Sequence, residues 1–198
     1  MLEKYIDCIK SELSEYIKYI GEENLNKAKD LIISKKNEGS RVHVTGIGKP
    51  SYVAHYIASL FSSIGIPAYF LDGTETIHGS AGQVLPGDIV IAISNSGETE
   101  ELKKAICTLQ KLGTKIIGVA GNNNSWLAQH CDIFLFAGVK QEGDNLNKPP
   151  RISILAEVII LQCLSIKLQE SVGLTENMYY QWHPGGSLGA SIRGEKVC

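Results

Sequence analysis

The sequence predicts an α/β fold in which helices cover both faces of a parallel sheet. Five short apolar runs, bounded by turn residues, alternate with segments of helical periodicity. Helical segments of about ten residues or more are long enough to carry the chain between parallel strands. We therefore expect right-handed connections. In such sheets a ligand binds beyond the carboxyl ends of the strands, where the strand order reverses.

A helical arm precedes this alternation. Apolar residues recur at helical spacing through residues 1–36, and Gly21 separates the two halves of the arm. We expect the arm to form one unit and residues 37–198 to form the α/β domain.

The elements of the domain follow in order. Helical patterns follow the first strand through Ile64, the third strand through Leu112, and the fourth strand over 125–129. A strongly apolar helix is expected over 152–168, with Gly173 after it and a short helix starting near Thr175. The five predicted strands are 41–45, 68–71, 88–93, 115–119 and 133–136.

Composition excludes several classes of function. The chain has 198 residues, 43% of them hydrophobic, and a net charge of -2. This charge gives no electrostatic basis for binding nucleic acid or an anionic membrane. No apolar run reaches the roughly 18–20 residues that span a bilayer, and the N-terminus lacks a signal-peptide core. The five cysteines are scattered without metal-ligand spacing. We expect a cytoplasmic protein without a metal.

A turn rich in hydroxyl groups follows the third strand. The apolar run 88–93 ends there, and a helical pattern begins at Glu100. Hydroxyls and free N–H groups at a helix N-terminus bind an anion without a cationic side chain. Helix capping alone is the other interpretation, but it needs only one hydroxyl. The turn predicts a phosphate cradle, formed by Ser94, Asn95, Ser96, Gly97 and Thr99.

A glycine-bearing loop follows the first strand. It reads Gly46-x-Gly48-Lys49-Pro50-Ser51. Glycine lets the backbone approach a ligand closely. The third glycine of a dinucleotide fingerprint is missing, and the spacing before Lys49 is wrong for a Walker A loop. Lys49 is either a ligand contact at the end of a strand or a solvated surface charge.

Two histidines and two glutamates are candidates for proton transfer. His78 and His183 lie in glycine-bearing loops. Glu101 lies in the first turn of the helix after the cradle, where interaction with the helix dipole is the alternative. Glu142 lies in a long polar loop after the fifth strand. Either carboxylate is suited to removing a proton next to a carbonyl, and the spacing does not choose between them.

Together these segments resemble the SIS (sugar isomerase) domain family, and within it the arabinose 5-phosphate isomerases without CBS domains. The resemblance covers about residues 35–193. It implies a flavodoxin-like three-layer αβα sandwich around a five-stranded parallel sheet. It also implies a homotetramer with active sites between subunits, and no cofactor. The motifs are the first loop, His78-Gly79, residues 91–99, and His183-Pro184-Gly185-Gly186-Ser187-Leu188-Gly189.

The resemblance also implies the chemistry. The cradle holds the phosphate of a sugar phosphate, such as arabinose 5-phosphate or ribulose 5-phosphate. An aldose and a ketose interconvert through an enediol(ate). A histidine assists ring opening, a glutamate moves the proton between C1 and C2, and the lysine steadies the negative charge. The matching positions are Lys49, Glu101, Glu142 and His183, with His78 close to the substrate and Gly48 and Ser51 as further contacts.

The sequence departs from the family in one loop. The isomerases carry a proline followed by a run of Ser and Thr, whereas residues 148–154 here keep one hydroxyl, that of Ser153. Arg151 is expected to replace lost hydroxyls as an anion contact. Two alternatives therefore stay open: a sugar-phosphate sensor without catalysis, and a different SIS reaction such as hexulose-phosphate isomerisation.

Overall fold

The computed structural model describes residues 2–185 of the chain. Two 3-10 turns, Glu75–His78 and Ser80–Gln83, separate the second and third strands. The strands are β1 (Val42–Gly46), β2 (Ala68–Phe70), β3 (Ile89–Ile93), β4 (Lys115–Ala120) and β5 (Ile133–Phe136). The helices are α1 (Leu2–Ile17), α2 (Glu22–Asn37), α3 (Lys49–Ser63), α4 (Glu100–Lys111), α5 (Trp126–His130), α6 (Ile152–Val172) and α7 (Glu176–Trp182).

The strands form one parallel sheet in the order β2-β1-β3-β4-β5. This is the flavodoxin-like order, and it confirms the predicted fold class. The chain passes from β1 outward to β2 and then returns to add β3 on the other side of β1. The strand order therefore reverses between β1 and β3, and a ligand is expected beyond the carboxyl ends of these two strands.

Alternating residues of the central strand β3 pack into two different layers. Ile89, Ile91 and Ile93 join the core cluster that includes residues of α2, α3 and α6. Val90 and Ala92 point to the other face, where they pack with residues of α4 and α5. Every residue of β3 is buried, as expected for a parallel strand covered on both faces.

The helical arm packs on the edge of the sheet. On α1, the Tyr16 hydroxyl donates a hydrogen bond to the carbonyl of Phe136 at 2.9 Å. On α2, Leu25, Ala28 and Ile32 are buried in the main core. The boundary expected between residues 36 and 37 stays a prediction.

α6 is the longest described helix, and it runs four residues beyond the predicted end at 168. It ends before Gly173, which takes the left-handed conformation (φ 61°) that favours glycine at this position. By length and composition alone, α6 is apolar enough to cross a membrane, and half of its most apolar stretch is buried inside the protein. The sequence lacks an uninterrupted apolar run of that length because Glu157 and Lys167 interrupt it.

Candidate active site

The carboxyl ends of β1 and β3 bring two of the predicted segments together. Gly46, the last residue of β1, is paired with Ile93, the last residue of β3. The loop that leads to Lys49 and the turn that begins at Ser94 therefore leave the sheet side by side. This is the point where the strand order reverses, as the sequence predicted for a ligand site.

Hydrogen bonds inside the cradle give the turn a defined shape. The Ser94 hydroxyl is buried; it accepts a bond from the N–H of Gly97 at 3.1 Å and lies 3.1 Å from the Thr99 hydroxyl. The Ser96 hydroxyl accepts from the N–H of Glu98 at 3.1 Å. Thr99 is the N-cap residue of α4, yet its side chain makes no capping bond. Simple capping of α4 therefore does not explain these hydroxyls.

The cradle keeps donors available for an anion. The N–H groups of residues 100–102 lie in the first turn of α4 and have no acceptor within the helix. The contact between Ser94 and Thr99 uses one of their two hydroxyl protons, and Ser96 acts only as an acceptor in its bond. Hydroxyl and amide donors therefore converge where the helix dipole favours negative charge.

Gly97 is required by the close packing of the turn. It adopts a positive φ of 67°, and a Cβ atom there would overlap the side chain of Ser125. Its carbonyl accepts from the N–H of Leu127 at 3.1 Å. Next to it, the Glu98 carboxylate accepts from the N–H of Trp126 and pairs with Lys103, each at 2.7 Å. Backbone N–H groups at the start of α5 therefore hold Gly97 and Glu98 of the turn in place.

Lys49 is the first residue of α3 and is exposed. It follows Gly48, the N-cap residue, which has a φ of 69°. The Ser51 hydroxyl donates to the carbonyl of Gly48 at 2.6 Å, which occupies its proton within the loop. Lys49 forms no ion pair with any residue between 2 and 185. It lines an open cleft of about 380 Å³ whose other wall includes Pro150 and Ile154 at the start of α6.

Glu142 holds the start of α6. Its Oε2 atom accepts hydrogen bonds from the N–H groups of Arg151 (2.6 Å), Ile152 (2.7 Å) and Ser153 (3.2 Å). Within the described chain its Oε1 atom accepts no hydrogen bond. Burial raises the pKa of Glu142, but the neighbouring Ser153 hydroxyl and these N–H groups outweigh burial, so the pKa is lowered. The carboxylate is therefore ionised and fixed in orientation, with one oxygen left to react.

Arg151 is exposed but paired with another residue of the chain, and Ser153 is buried. The Arg151 guanidinium donates to the Asp144 carboxylate at 2.6 Å, so its predicted role as an anion contact competes with an ion pair. Ser153 is fully buried beside Glu142. Asn147, which no motif in the sequence marks, accepts from the N–H of Glu142 at 2.6 Å. Its positive φ of 49° is common for Asn in tight turns but cannot be read from sequence.

Glu101 and His78 lie on the cradle side of the sheet. Glu101 is exposed in the first turn of α4, immediately after the cradle. His78 is exposed at the end of the 3-10 turn Glu75–His78, which packs against α4. Both side chains are exposed, and neither is held by a hydrogen bond that the described residues supply.

His183 lies toward the amino-terminal ends of the strands, opposite the cradle. Its Nδ1 is 2.8 Å from the carbonyl of Tyr179, and its ring stacks on the Tyr179 ring at 4.0 Å. The adjacent Trp182 packs against Gly65, which precedes β2 and therefore lies at the amino-terminal edge. A single chain does not bring His183 to the cradle. Residues 186–189 of the same motif lie outside the described residues.

Metal ligation has no support in the part of the chain that the structure covers. Among residues 2–185, no group of three or more His, Cys, Asp or Glu side chains is placed to hold a metal ion.

Comparisons with known proteins place the chain among proteins of known family. A model of the SIS domain matches residues 33–166. Arabinose 5-phosphate isomerase KdsD of Pseudomonas aeruginosa is 36% identical over 166 residues, 84% of this chain and 50% of that protein. KdsD of Francisella tularensis is 33% identical over 181 residues, 91% of this chain and 55% of that protein.

A solved structure extends the similarity to the fold. Protein c3406 of E. coli CFT073, solved in complex with a sugar phosphate, superposes with a TM-score of 0.82 at 31% identity, covering 92% of this chain and 95% of that one. The chain spans about half the length of the curated relatives it matches. With a domain model matching most of its length, and with the sheet order and the cradle described above, the chain belongs to the SIS domain family.

Proposed function

We propose that this protein is a sugar-phosphate isomerase that interconverts an aldose and a ketose, with arabinose 5-phosphate and ribulose 5-phosphate as the first pair to test. The observation that carries the proposal is the donor-lined cradle at the β1–β3 reversal, beside the exposed Lys49. A cradle of this kind suits a phosphate ester. The relatives named arabinose 5-phosphate isomerase support the choice of sugar.

The proposed reaction moves protons and needs no external oxidant or reductant. With the phosphate in the cradle, a base removes the proton from C2 of the open-chain aldose, giving an enediolate. A proton then moves from O2 to O1, and the base returns its proton to C1, which leaves a ketone at C2. Lys49 offsets the negative charge on the enediolate oxygens. His183 assists ring opening as an acid–base group, and His78 lies close to the substrate.

We assign the base to Glu142 in preference to Glu101. Three N–H groups fix the Glu142 Oε2 atom, so its free Oε1 is held in one orientation, whereas Glu101 is exposed. A fixed carboxylate loses little freedom when the substrate binds. The lowered pKa makes Glu142 a weaker base but keeps it ionised.

A second subunit is part of the proposal. His183 and the cradle lie at opposite edges of the sheet in one chain. A site that uses both must therefore combine two chains, as in a homotetramer with active sites between subunits. A cytoplasmic location, expected from the sequence, also belongs to the proposal.

Proton exchange tests the activity directly. The protein is incubated in deuterated water with a panel of pentose, hexose, hexulose and heptose phosphates, and NMR follows deuterium entering C1 or C2. We expect exchange and a new ketose or aldose with one member of the panel. Binding without exchange for every member would contradict an enzyme and favour the sensor.

Removing two cradle hydroxyls should weaken phosphate binding. Hydrogen bonds to a charged group are each worth about 1.5–3 kcal/mol, so Ser94→Ala with Ser96→Ala should raise the Kd of the sugar phosphate by about 100-fold or more. Isothermal titration measures this change. Ser171→Ala is the control, because its hydroxyl bonds to the Lys167 carbonyl on the surface of α6. Equal affinity in the double variant and the control would mean that the turn only shapes the start of α4.

Mixed oligomers test the shared site. Lys49→Ala and His183→Ala should each be nearly inactive alone, because each removes a group from every site. Coexpressed, they should recover about a quarter of the wild-type rate, since random assembly leaves that share of sites with both groups. Coexpressed Lys49→Ala and Glu142→Ala are the matched control. This mixture should recover little activity, because both changes affect the same chain's half of the site. Recovery in neither mixture would contradict a site built from two subunits.

A further inference from the structure

Glu157 is an ionisable side chain that the proposed reaction does not use. It lies on α6 and is fully buried. Within residues 2–185, neither of its carboxyl oxygens has a hydrogen-bond partner. Buried polar groups without partners are rare because each costs free energy. An acidic residue at this core position therefore calls for a physical explanation.

Glu157 is close to Ser153, which contacts Glu142. Ser153 lies one turn earlier on α6, and residues four apart share a helix face. The Ser153 hydroxyl is also buried and has no hydrogen-bond partner among the described residues. It nevertheless lies close enough to the Glu142 carboxylate to lower the pKa of that group. Glu157 and Ser153 thus both lie close to the Glu142 carboxylate at the start of α6.

The groups that face Glu157 leave it without a countercharge. Glu142 faces it from the loop before α6, and Tyr16 faces it from α1, close also to Cys163 on α6. Burial, and then the charge of Glu142, raise the pKa of Glu157 to about 8. The pKa of Glu142 is shifted in the opposite direction. Two neighbouring carboxyl groups with opposite shifts share one negative charge at neutral pH.

We propose that Glu157 is a positioning residue for Glu142 that acts by staying uncharged: its buried carboxyl group keeps its proton and so adds no second negative charge behind the Glu142 carboxylate. Within residues 2–185 neither the Glu157 oxygens nor the Ser153 hydroxyl one turn earlier has a hydrogen-bond partner, so no described group stabilises a charge on Glu157. This inference rests on the proposed function, because it takes Glu142 as part of the reacting site.

Ionisation of Glu157 would undo this arrangement. A second negative charge would then lie behind Glu142 without a cation to balance it. The added charge would draw a proton to Glu142 or displace its carboxylate from the start of α6. Either change removes the fixed, ionised form of Glu142.

The test compares pH profiles of the wild type and Glu157→Gln. In the wild type we expect kcat/KM for isomerisation to fall about tenfold between pH 7 and pH 9, because a single group with a pKa near 8 titrates. Gln has nearly the same shape and stays uncharged at every pH, so its profile should lack this alkaline loss. Cys163→Ala should keep the loss, because burial raises the pKa of that thiol above its ordinary value of 9.0 and so out of this pH range. A loss shared by the wild type and Glu157→Gln would overturn the inference.

A second measurement does not depend on activity. Infrared difference spectra should show a neutral carboxyl band in the wild type at pH 7 that vanishes by pH 9 and is absent from Glu157→Gln. In addition, the wild-type Tm should fall relative to that of Glu157→Gln as pH rises from about 4.5 to about 8, because the native state holds a proton that the unfolded chain releases. A missing band overturns the inference while isomerisation persists. An absence of isomerisation at every pH, with the band present, overturns the proposed function instead.

Discussion

Replacing Glu142 with glutamine is expected to slow proton exchange in the sugar phosphate by about 10²–10⁴-fold, the usual contribution of a general base. Glutamine keeps a carbonyl oxygen that can accept from the N–H groups of Arg151, Ile152 and Ser153, but it cannot take a proton. The loss should therefore fall on kcat, while the sugar phosphate still binds. Single-turnover exchange and titration calorimetry separate the two effects.

Glu101→Gln is the matched comparison. Glu101 is exposed in the first turn of α4 and holds no other element in place. We expect a smaller loss of kcat than in Glu142→Gln and little change in the free energy of unfolding. Glu142→Gln should lower the free energy of unfolding by about 1–2 kcal/mol, because a charged acceptor at a helix start is lost. If Glu101→Gln lost most of the rate and Glu142→Gln did not, Glu101 would be the base.

The fold could be predicted because its signals are local. Each strand is a short apolar run that ends at turn residues, and the predicted strand bounds lie within one residue of the observed ones. The place of the site also followed from local pattern. The hydroxyl-rich turn and the glycine loop each come after a strand, and parallel strands bring such ends to one edge.

Other parts of the site depend on contacts that no local pattern encodes. Glu142 accepts hydrogen bonds from N–H groups nine to eleven residues away across an irregular loop. In the sequence alone it is an isolated carboxylate. Arg151 looked free for an anion until the fold placed Asp144 beside it. His183 follows a short helix whose Trp182 packs near the start of β2, and only tertiary structure decides which edge of the sheet it reaches.

The second large effect is expected far from the cradle, at Asp88. Its carboxylate is 2% exposed at the amino-terminal edge of the sheet, just before β3. It accepts from the N–H groups of Arg41 (2.8 Å) and Leu85 (3.0 Å) and from the Arg41 guanidinium (3.1 Å). The His43 Nε2 atom lies 3.1 Å from the same carboxylate. Asp88 thus joins β1, β3 and the turn before β3.

Asp88→Asn should lower the free energy of unfolding by about 3–5 kcal/mol at pH 7, the usual cost of breaking a buried ion pair. The amide can keep one acceptor for the Arg41 N–H, but its NH₂ group then faces the Leu85 N–H and the guanidinium. Urea unfolding measures the loss. Asp132→Asn is the control at the same edge; it also accepts an N–H and pairs with a lysine, but it is partly exposed, so about 1 kcal/mol is expected. Binding at the cradle should persist in both variants.

The effect of Asp88 should also depend on pH, with a defined sign. Burial raises the pKa of Asp88, but the N–H groups of Leu85 and Arg41, then His43 and the Arg41 charge, outweigh it and lower the pKa. Burial lowers the pKa of His43, which keeps that ring neutral. The unfolded chain therefore binds the Asp88 proton more readily than the native protein does. The stability that this carboxylate supplies is complete above its ordinary pKa of 3.8 and is lost as pH falls through its lower native pKa.

The difference in unfolding free energy between the wild type and Asp88→Asn should accordingly shrink as the pH falls below about 4. A difference that stayed constant from pH 7 to pH 3 would mean that the variant loses shape complementarity and not the charged hydrogen bonds. Asp88 and the cradle lie at opposite ends of β3, so stabilisation by Asp88 and phosphate binding by the cradle should be independent. Loss of sugar-phosphate binding in a folded Asp88→Asn protein would contradict that independence.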